Sequence, residues 1–132
     1  MPVEVHVVTP EREVWSGTAE MLIARGVDGE LGILAGHAPM MVQLAIGPLR
    51  IQPEGDASQE VRAVVDGGFM HVTSEGGETR VDVLANGAAL EGEIDVDAAK
   101  RRLEELGMAS DVDDEAHQTE IAKAEARITL AG

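Results

Sequence analysis

A chain of 132 residues with 10 Lys and Arg against 25 Asp and Glu carries a formal charge of −15 and has room for one domain, or one domain with a small appendage. That balance excludes the cationic surface that displaces counterions from nucleic-acid phosphates, and the absence of cysteine excludes disulfides, thiolate metal sites and a cysteine nucleophile. Aliphatic side chains must supply the core, because 44% of the residues are apolar while the only aromatics are Trp15 and Phe69.

The chain opens Met1-Pro2-Val3-Glu4, without the basic stretch and long apolar run of a signal peptide, and no later run approaches the roughly 20 apolar residues of a membrane span. A soluble intracellular protein is therefore expected. From Val3 to about Ala88 the apolar residues recur mainly with period two, which puts them on one face of extended strands. Val3, Val5 and Val7 alternate with Glu4 and His6; Val61, Ala63 and Val65, and then Val81, Val83 and Ala85, repeat the pattern. Between them lie turn signals at Thr9-Pro10, Ser16-Gly17, Val27-Asp28-Gly29, Gly47-Pro48, Pro53-Glu54-Gly55-Asp56, Gly67-Gly68 and Gly76-Gly77. This predicts roughly eight to ten short strands in a β-sandwich or flattened barrel, since no segment before residue 90 is long enough for a crossover helix.

After Gly92 the composition turns to Ala, Glu, Lys, Arg and Leu, without proline. A first helix is predicted from about Asp95 to Leu106, ended by Gly107, with Ala99, Leu103 and Leu106 on one stripe. A second runs from about Asp113 to Leu130; Asp113, Asp114 and Glu115 suit its positive end, and Ile121, Ala124 and Ile128 line one face. The linker Met108 to Val112 is short enough to fold the two back as an antiparallel hairpin. Stripes so rich in alanine bury little area, so the hairpin is marginal alone and is either a mobile element or a fixed appendage. The division falls between a sandwich over residues 1–88 and a hairpin over residues 89–132.

Chemistry is sparse. The glycine-rich run from Gly26 to Gly36 leads into His37-Ala38-Pro39 and another strand-like segment, without the Gly-Lys-Ser/Thr or strand-turn-helix context of a phosphate loop. His37 shows no metal-ligand spacing with His6, His71 or His117, and reads as a loop histidine. Asp95 and Asp97, two apart, point to different sides of a helix and make no acid/base pair. Lys100-Arg101-Arg102 is the strongest basic run, either a solvated helix face or a contact for an acidic partner or a phosphate. The residues alone leave open a free-standing binding module that presents a helical hairpin, and a small hydrolase or isomerase built on His37.

From end to end the chain resembles the epsilon subunit of bacterial F-type ATP synthase. Gly29-Glu-Leu-Gly-Ile-Leu-Ala-Gly-His37-Ala-Pro39-Met-Met is similar to that family's GELGIxPGHxPLL signature, with Ala35 for the proline and Met40-Met41 for the leucines. The opening VHVVTPEREVWSG, Gly67-Gly68-Phe69-Met-His-Val and VDVLANGAA agree as well. The resemblance implies a sandwich of about ten strands in two packed layers, bound to the gamma subunit and resting on the ring of c subunits, with a hairpin that folds down or extends toward the catalytic head. It implies a non-catalytic rotor subunit at the cytoplasmic face of the bacterial plasma membrane, peripheral to it, that transmits torque and restrains ATP hydrolysis through the hairpin.

By the same resemblance Glu30 meets the c ring and His37 lies near gamma, while Lys100, Arg101, Arg102, Lys123 and Arg127 are available to acidic segments of the alpha and beta subunits. Some members bind ATP through an Ile/Leu-Asp-x-x-Arg-Ala motif. Its counterpart here is Ile94-Asp95-Val96-Asp97-Ala98-Ala99, with Ala98 for the arginine and an added carboxylate at Asp97; Arg101 or Arg102, one turn on, is the available substitute. Both changes oppose anion binding, so no resident cofactor and at most weak ATP binding are expected.

Overall fold

Alternating valines fold Val3–Val8 as β1, with Val3, Val5 and Val7 all but fully buried, and the chain returns at once as β2, Glu13–Gly26. The computed structural model describes residues 2–55, 57–108 and 114–131. Five more strands follow: β3 Gly29–Leu34, β4 Met40–Pro53, β5 Val61–Glu75, β6 Glu78–Ala85 and β7 Ala88–Leu90. They pair in the order β1-β6-β5-β4-β2, and β2 pairs back onto β1, which closes the sheet on itself. β3 extends it beyond β2, and β7 lies on β5. Among the described residues only β1 with β6 is parallel. The interior is aliphatic, with Leu22, Ile33, Leu49, Ile51, Met70 and Val72 showing at most 1% exposure.

The seven strands among the described residues are fewer than the eight to ten read from turn signals, and fewer than the ten implied by the resemblance. Three of those signals lie inside strands. Ser16-Gly17 falls in β2, Gly47-Pro48 in β4 and Gly67-Gly68 in β5. Each of these strands runs for 14 or 15 residues and serves two neighbourhoods. β2 pairs with β1 through Ala19 and with β3 and β4 from there on. β5 bends at Gly67 and Gly68, both with positive φ, and a methyl on Gly68 would overlap the Leu84 carbonyl oxygen. Across that bend the buried parity changes: Ala63 and Val65 face the core before it, Met70 and Val72 after it. The partner strand β4 changes with it, from Leu44 to Leu49 and Ile51.

Beyond β7, which straddles the division expected at residues 88/89, a single 3-10 turn at Glu91–Glu93 leads to α1, Val96–Met108, and α2, Glu115–Ala131. Asp95 caps α1, its Oδ1 accepting the Ala98 N–H at 3.0 Å, and Asp114 caps α2 by accepting the Ala116 N–H at 2.8 Å. Gly107, expected to end α1, lies within its last turn. Asp56 and the linker residues 109–113, Asp113 included, lie outside the described residues. Ala98, Ala99 and Arg102 of α1 sit beside Glu120, Lys123 and Arg127 of α2, so the helices run antiparallel. Of the expected stripes, Ala99, Leu106 and Ala124 are buried, whereas Leu103, Ile121 and Ile128 are half-buried.

The hairpin is docked. α2 lies on the outer face of β4 and β5. There Val64, facing away from the main core, has 0% exposure, with Ala124 and Leu130 of α2 also buried outside that core. Burying one such aliphatic side chain is worth about 1.5–3 kcal/mol, so this contact is a modest fraction of a domain's cohesion.

Candidate functional surfaces

The residues singled out in the sequence fall on three surfaces. The first is the end of the barrel at β3. Glu30 is exposed there, opposite Arg25 in the β2–β3 register, next to a hairpin tip where Val27 is 53% exposed. His37 lies in the following loop, half-buried. With its proton on Nδ1 it donates to the Ala38 carbonyl at 2.7 Å; its backbone N–H donates to Leu34 and its carbonyl accepts the Ser74 hydroxyl at 2.8 Å. The Gly36 N–H donates to Thr79 Oγ1 at 2.8 Å. The loop is thus fastened to the β5–β6 hairpin, and among the described residues no group of His, Asp and Glu is arranged to hold a metal. His37 is not brought together with the basic residues of the helices.

The second surface is the start of the hairpin. Ile94, Asp95, Ala98, Ala99 and Arg102 line a cleft of about 390 Å³ with Lys123 and Arg127 of α2. Arg102 lines it and Arg101 does not. Lys100 and Arg101 are exposed on α1. The cations in the cleft are already engaged. Arg102 lies 3.7 Å from Glu105 and Lys123 lies 3.4 Å from Glu120. Arg127 donates to both carboxylate oxygens of Asp66, at 2.7 and 2.9 Å, and to the Lys123 carbonyl. The hydrogen bond to Asp66, opposed by partial burial, holds the Arg127 pKa above its ordinary value. Glu93, Asp95 and Glu120 also line the cleft. The donor set does not fit a triphosphate, because three carboxylates face three cations and the strongest cation is spent on Asp66.

Two further ion pairs brace the turn between sheet and hairpin. Arg12 donates to Glu93 at 2.8 and 2.6 Å, and Arg62 donates to Glu91 at 2.7 Å. Glu93 also accepts the Leu90 N–H at 2.9 Å. The Arg12 hydrogen bond, then that from Leu90, hold the Glu93 carboxyl below its ordinary pKa.

The third surface was not singled out from sequence. On the outer face of β4, β5 and β6, Gln43, Phe69 and Leu84 form one cross-strand row, and Met41 with His71 the next. Met41, Phe69 and Leu84 are 60%, 50% and 52% exposed, a contiguous apolar patch on a chain with few large apolar side chains outside its core. The available signal was Leu84, which breaks the alternation of Val81, Val83 and Ala85. Phe69 was hidden by the parity change at Gly67-Gly68.

The comparisons with known proteins agree with one another. A family model described as ATP synthase, Delta/Epsilon chain, beta-sandwich domain matches residues 2–91. The ATP synthase epsilon chain of Thermobifida fusca is 41% identical over 127 residues, spanning 96% of this chain and 90% of that one. The ATP synthase epsilon chain of Brevibacillus brevis is 51% identical over 96 residues, spanning 73% and 68%. Among solved structures, a chain of the Euglena gracilis mitochondrial ATP synthase, determined as OSCP/F1/c-ring, superposes with a TM-score of 0.76 at 30% identity, covering 98% of this chain and 80% of that one. A chain of the central stalk and c-ring of the Tetrahymena thermophila mitochondrial ATP synthase, at 18% identity and a TM-score of 0.63, shares the fold. Sandwich, helical pair and near full-length similarity together assign the chain: it belongs to the ATP synthase epsilon-chain family.

Proposed function

We propose that the chain is a central-stalk rotor subunit of a proton-translocating F-type ATP synthase, a non-catalytic part of that enzyme complex. The observation that carries this reading is the division of its outer surface. One half of the β4–β5 face is covered by the hairpin, and the other half, past the Gly67-Gly68 bend, exposes Met41, Phe69 and Leu84. An uncovered apolar row on a rigid closed sheet is what a permanent partner buries. That partner is the gamma subunit. Glu30, at the β3 end beside the exposed Val27, then meets the c-subunit ring, with the His37 loop at the gamma contact. Attachment is then peripheral, through the complex, at the cytoplasmic face of a bacterial plasma membrane; no helix among the described residues is long and apolar enough to cross a membrane.

The hairpin is the regulatory part. Docked, it spends Arg127 on Asp66. Extended, it offers Arg127 with Lys100, Arg101, Arg102 and Lys123 to acidic segments of the alpha and beta subunits and so restrains hydrolysis. Five cations among many acids make this a weak, salt-sensitive brake. The test is ATP hydrolysis by an F-type ATPase stripped of its epsilon chain, titrated with the full chain and with a chain ended after Ile94. Both are expected to bind and only the full chain to slow turnover. Equal rates with the two chains would refute the brake, and failure of both to bind would refute the rotor role.

A further inference from the structure

A larger groove lies on the other flank of α2, about 570 Å³, between that helix and the outer face of β2, β4 and β5. That is within the size range of organic-ligand sites, roughly 300–1,000 Å³. Its sheet side carries Arg25, Arg50 and Arg62, three of the ten cationic side chains in a chain of net charge −15. Register sets Arg50 directly opposite Arg62, a like-charge pairing that is unfavourable by itself. Glu60 offsets one, accepting from Arg50 at 2.7 Å, and Glu91 the other, accepting from Arg62 at 2.7 Å.

Arg25 has no such partner. It makes no hydrogen bond or ion pair among the described residues. Yet its side chain is seated: it lies across the bare backbone of Gly47, where an added methyl would come 3.0 Å from Cδ and 3.3 Å from Nη1. A guanidinium held in place with its donors unspent is half of an oxyanion site. The other wall is apolar, formed by Ile46 and Pro48 of the sheet with Ala126 and Leu130 of α2, and the Thr129 hydroxyl stands beside them.

We propose that this groove binds a small organic monophosphate, its phosphoryl group held by Arg25 and its apolar body laid against Pro48, Ala126 and Leu130. The charge of the site selects the class. Arg50 and Arg62 are each offset by a carboxylate and Glu125 also lines the groove, so Arg25 supplies the one uncommitted guanidinium there, enough for a single phosphoryl group and too little for a polyphosphate. Because sheet and helix each supply one wall, the ligand ties α2 to the sheet and favours the docked hairpin. This site is separate from the cleft lined by Asp95, Arg102 and Lys123, and it does not depend on the rotor assignment.

The experiment is an NMR titration of the full chain at fixed ionic strength with phenyl phosphate, inorganic phosphate and phenol. Phenyl phosphate is expected to bind at least about tenfold more tightly than inorganic phosphate, reflecting a buried apolar body, with phenol not binding. Arg25→Gln should weaken phenyl phosphate by about tenfold or more through loss of charged hydrogen bonds, and Arg102→Gln should leave it unchanged. Ala126→Asp, which puts a carboxylate on the helix wall without touching the arginines, should abolish binding while the shifts of β1 and β6 stay in place. Bound ligand should also slow amide exchange in α2. Equal affinity for phosphate and phenyl phosphate, an unchanged Arg25→Gln variant, or loss of binding in Arg102→Gln would each overturn the proposal.

Discussion

Replacing Asp66 with asparagine isolates the contact that fastens the hairpin. Arg127 donates two hydrogen bonds to Asp66, with side-chain exposures of 25% and 9%, so the pair is neither a solvated surface pair nor a fully buried one. Hydrogen bonds to charged groups contribute about 1.5–3 kcal/mol and exposed ion pairs about 0–1 kcal/mol. Asparagine keeps one acceptor oxygen in place, which leaves an expected loss of about 1–2 kcal/mol, or about 5- to 30-fold in the docking equilibrium. The apolar burial at Val64, Ala124 and Leu130 is untouched, so the hairpin loosens without unfolding the sheet. Native-state amide exchange reads this directly. Amides of α2 should exchange about 5- to 30-fold faster in Asp66→Asn while those of β1, β5 and β6 keep their rates. Arg127→Gln should do the same, and the double variant should add little, because both remove one interaction. Unchanged α2 exchange in Asp66→Asn, or equal acceleration in helix and sheet, would refute the reasoning.

Other consequences follow from the same contacts. Val64→Ala should cost the full chain about 1.5 kcal/mol by denaturant unfolding, and less in a chain ended after Ile94, where no helix covers the site; equal losses in the two would contradict the docking. Gly68→Ala should cost more than about 3 kcal/mol, because the backbone there has a φ of +129° and a methyl meets the Leu84 carbonyl; a cost under about 1 kcal/mol would contradict the bend. Glu93 is held below its ordinary pKa, so its contribution is present above the ordinary glutamate range and is lost as pH falls through the folded value. Its carboxyl should titrate by NMR below an exposed glutamate, and Arg12→Gln should move it back toward the ordinary midpoint, with the Leu90 N–H still lowering it; a midpoint at or above the ordinary value in the parent would contradict the Arg12 pairing. Phe69→Ala should change stability by less than about 0.5 kcal/mol but weaken binding to gamma about tenfold or more, measured by surface plasmon resonance; unchanged binding would move the interface elsewhere.

Strand and helix content were legible because period two and an alanine-rich, acid-capped segment are local signals. Val3, Val5 and Val7, and the caps at Asp95 and Asp114, reflect that. What failed was punctuation. Glycine pairs at residues 67–68 and a Gly-Pro step at 47–48 mark bends within long strands, and a bend and a turn draw on the same residues. The resulting change of parity hid Phe69. Long-range pairing was equally out of sight: Arg127 and Lys123 share a helix and a charge, yet only Arg127 meets Asp66, 61 residues away in sequence. Arg101 and Arg102 are neighbours on α1, and only the position around the helix decides which of them enters the cleft.

The most direct test of the rotor assignment is the stoichiometry and affinity of the full chain on an F-type ATPase stripped of its epsilon chain, followed by sedimentation. One chain should bind per rotor, and the Phe69→Ala variant should bind more weakly with its fold intact. A correctly folded chain that forms no complex would contradict the central claim.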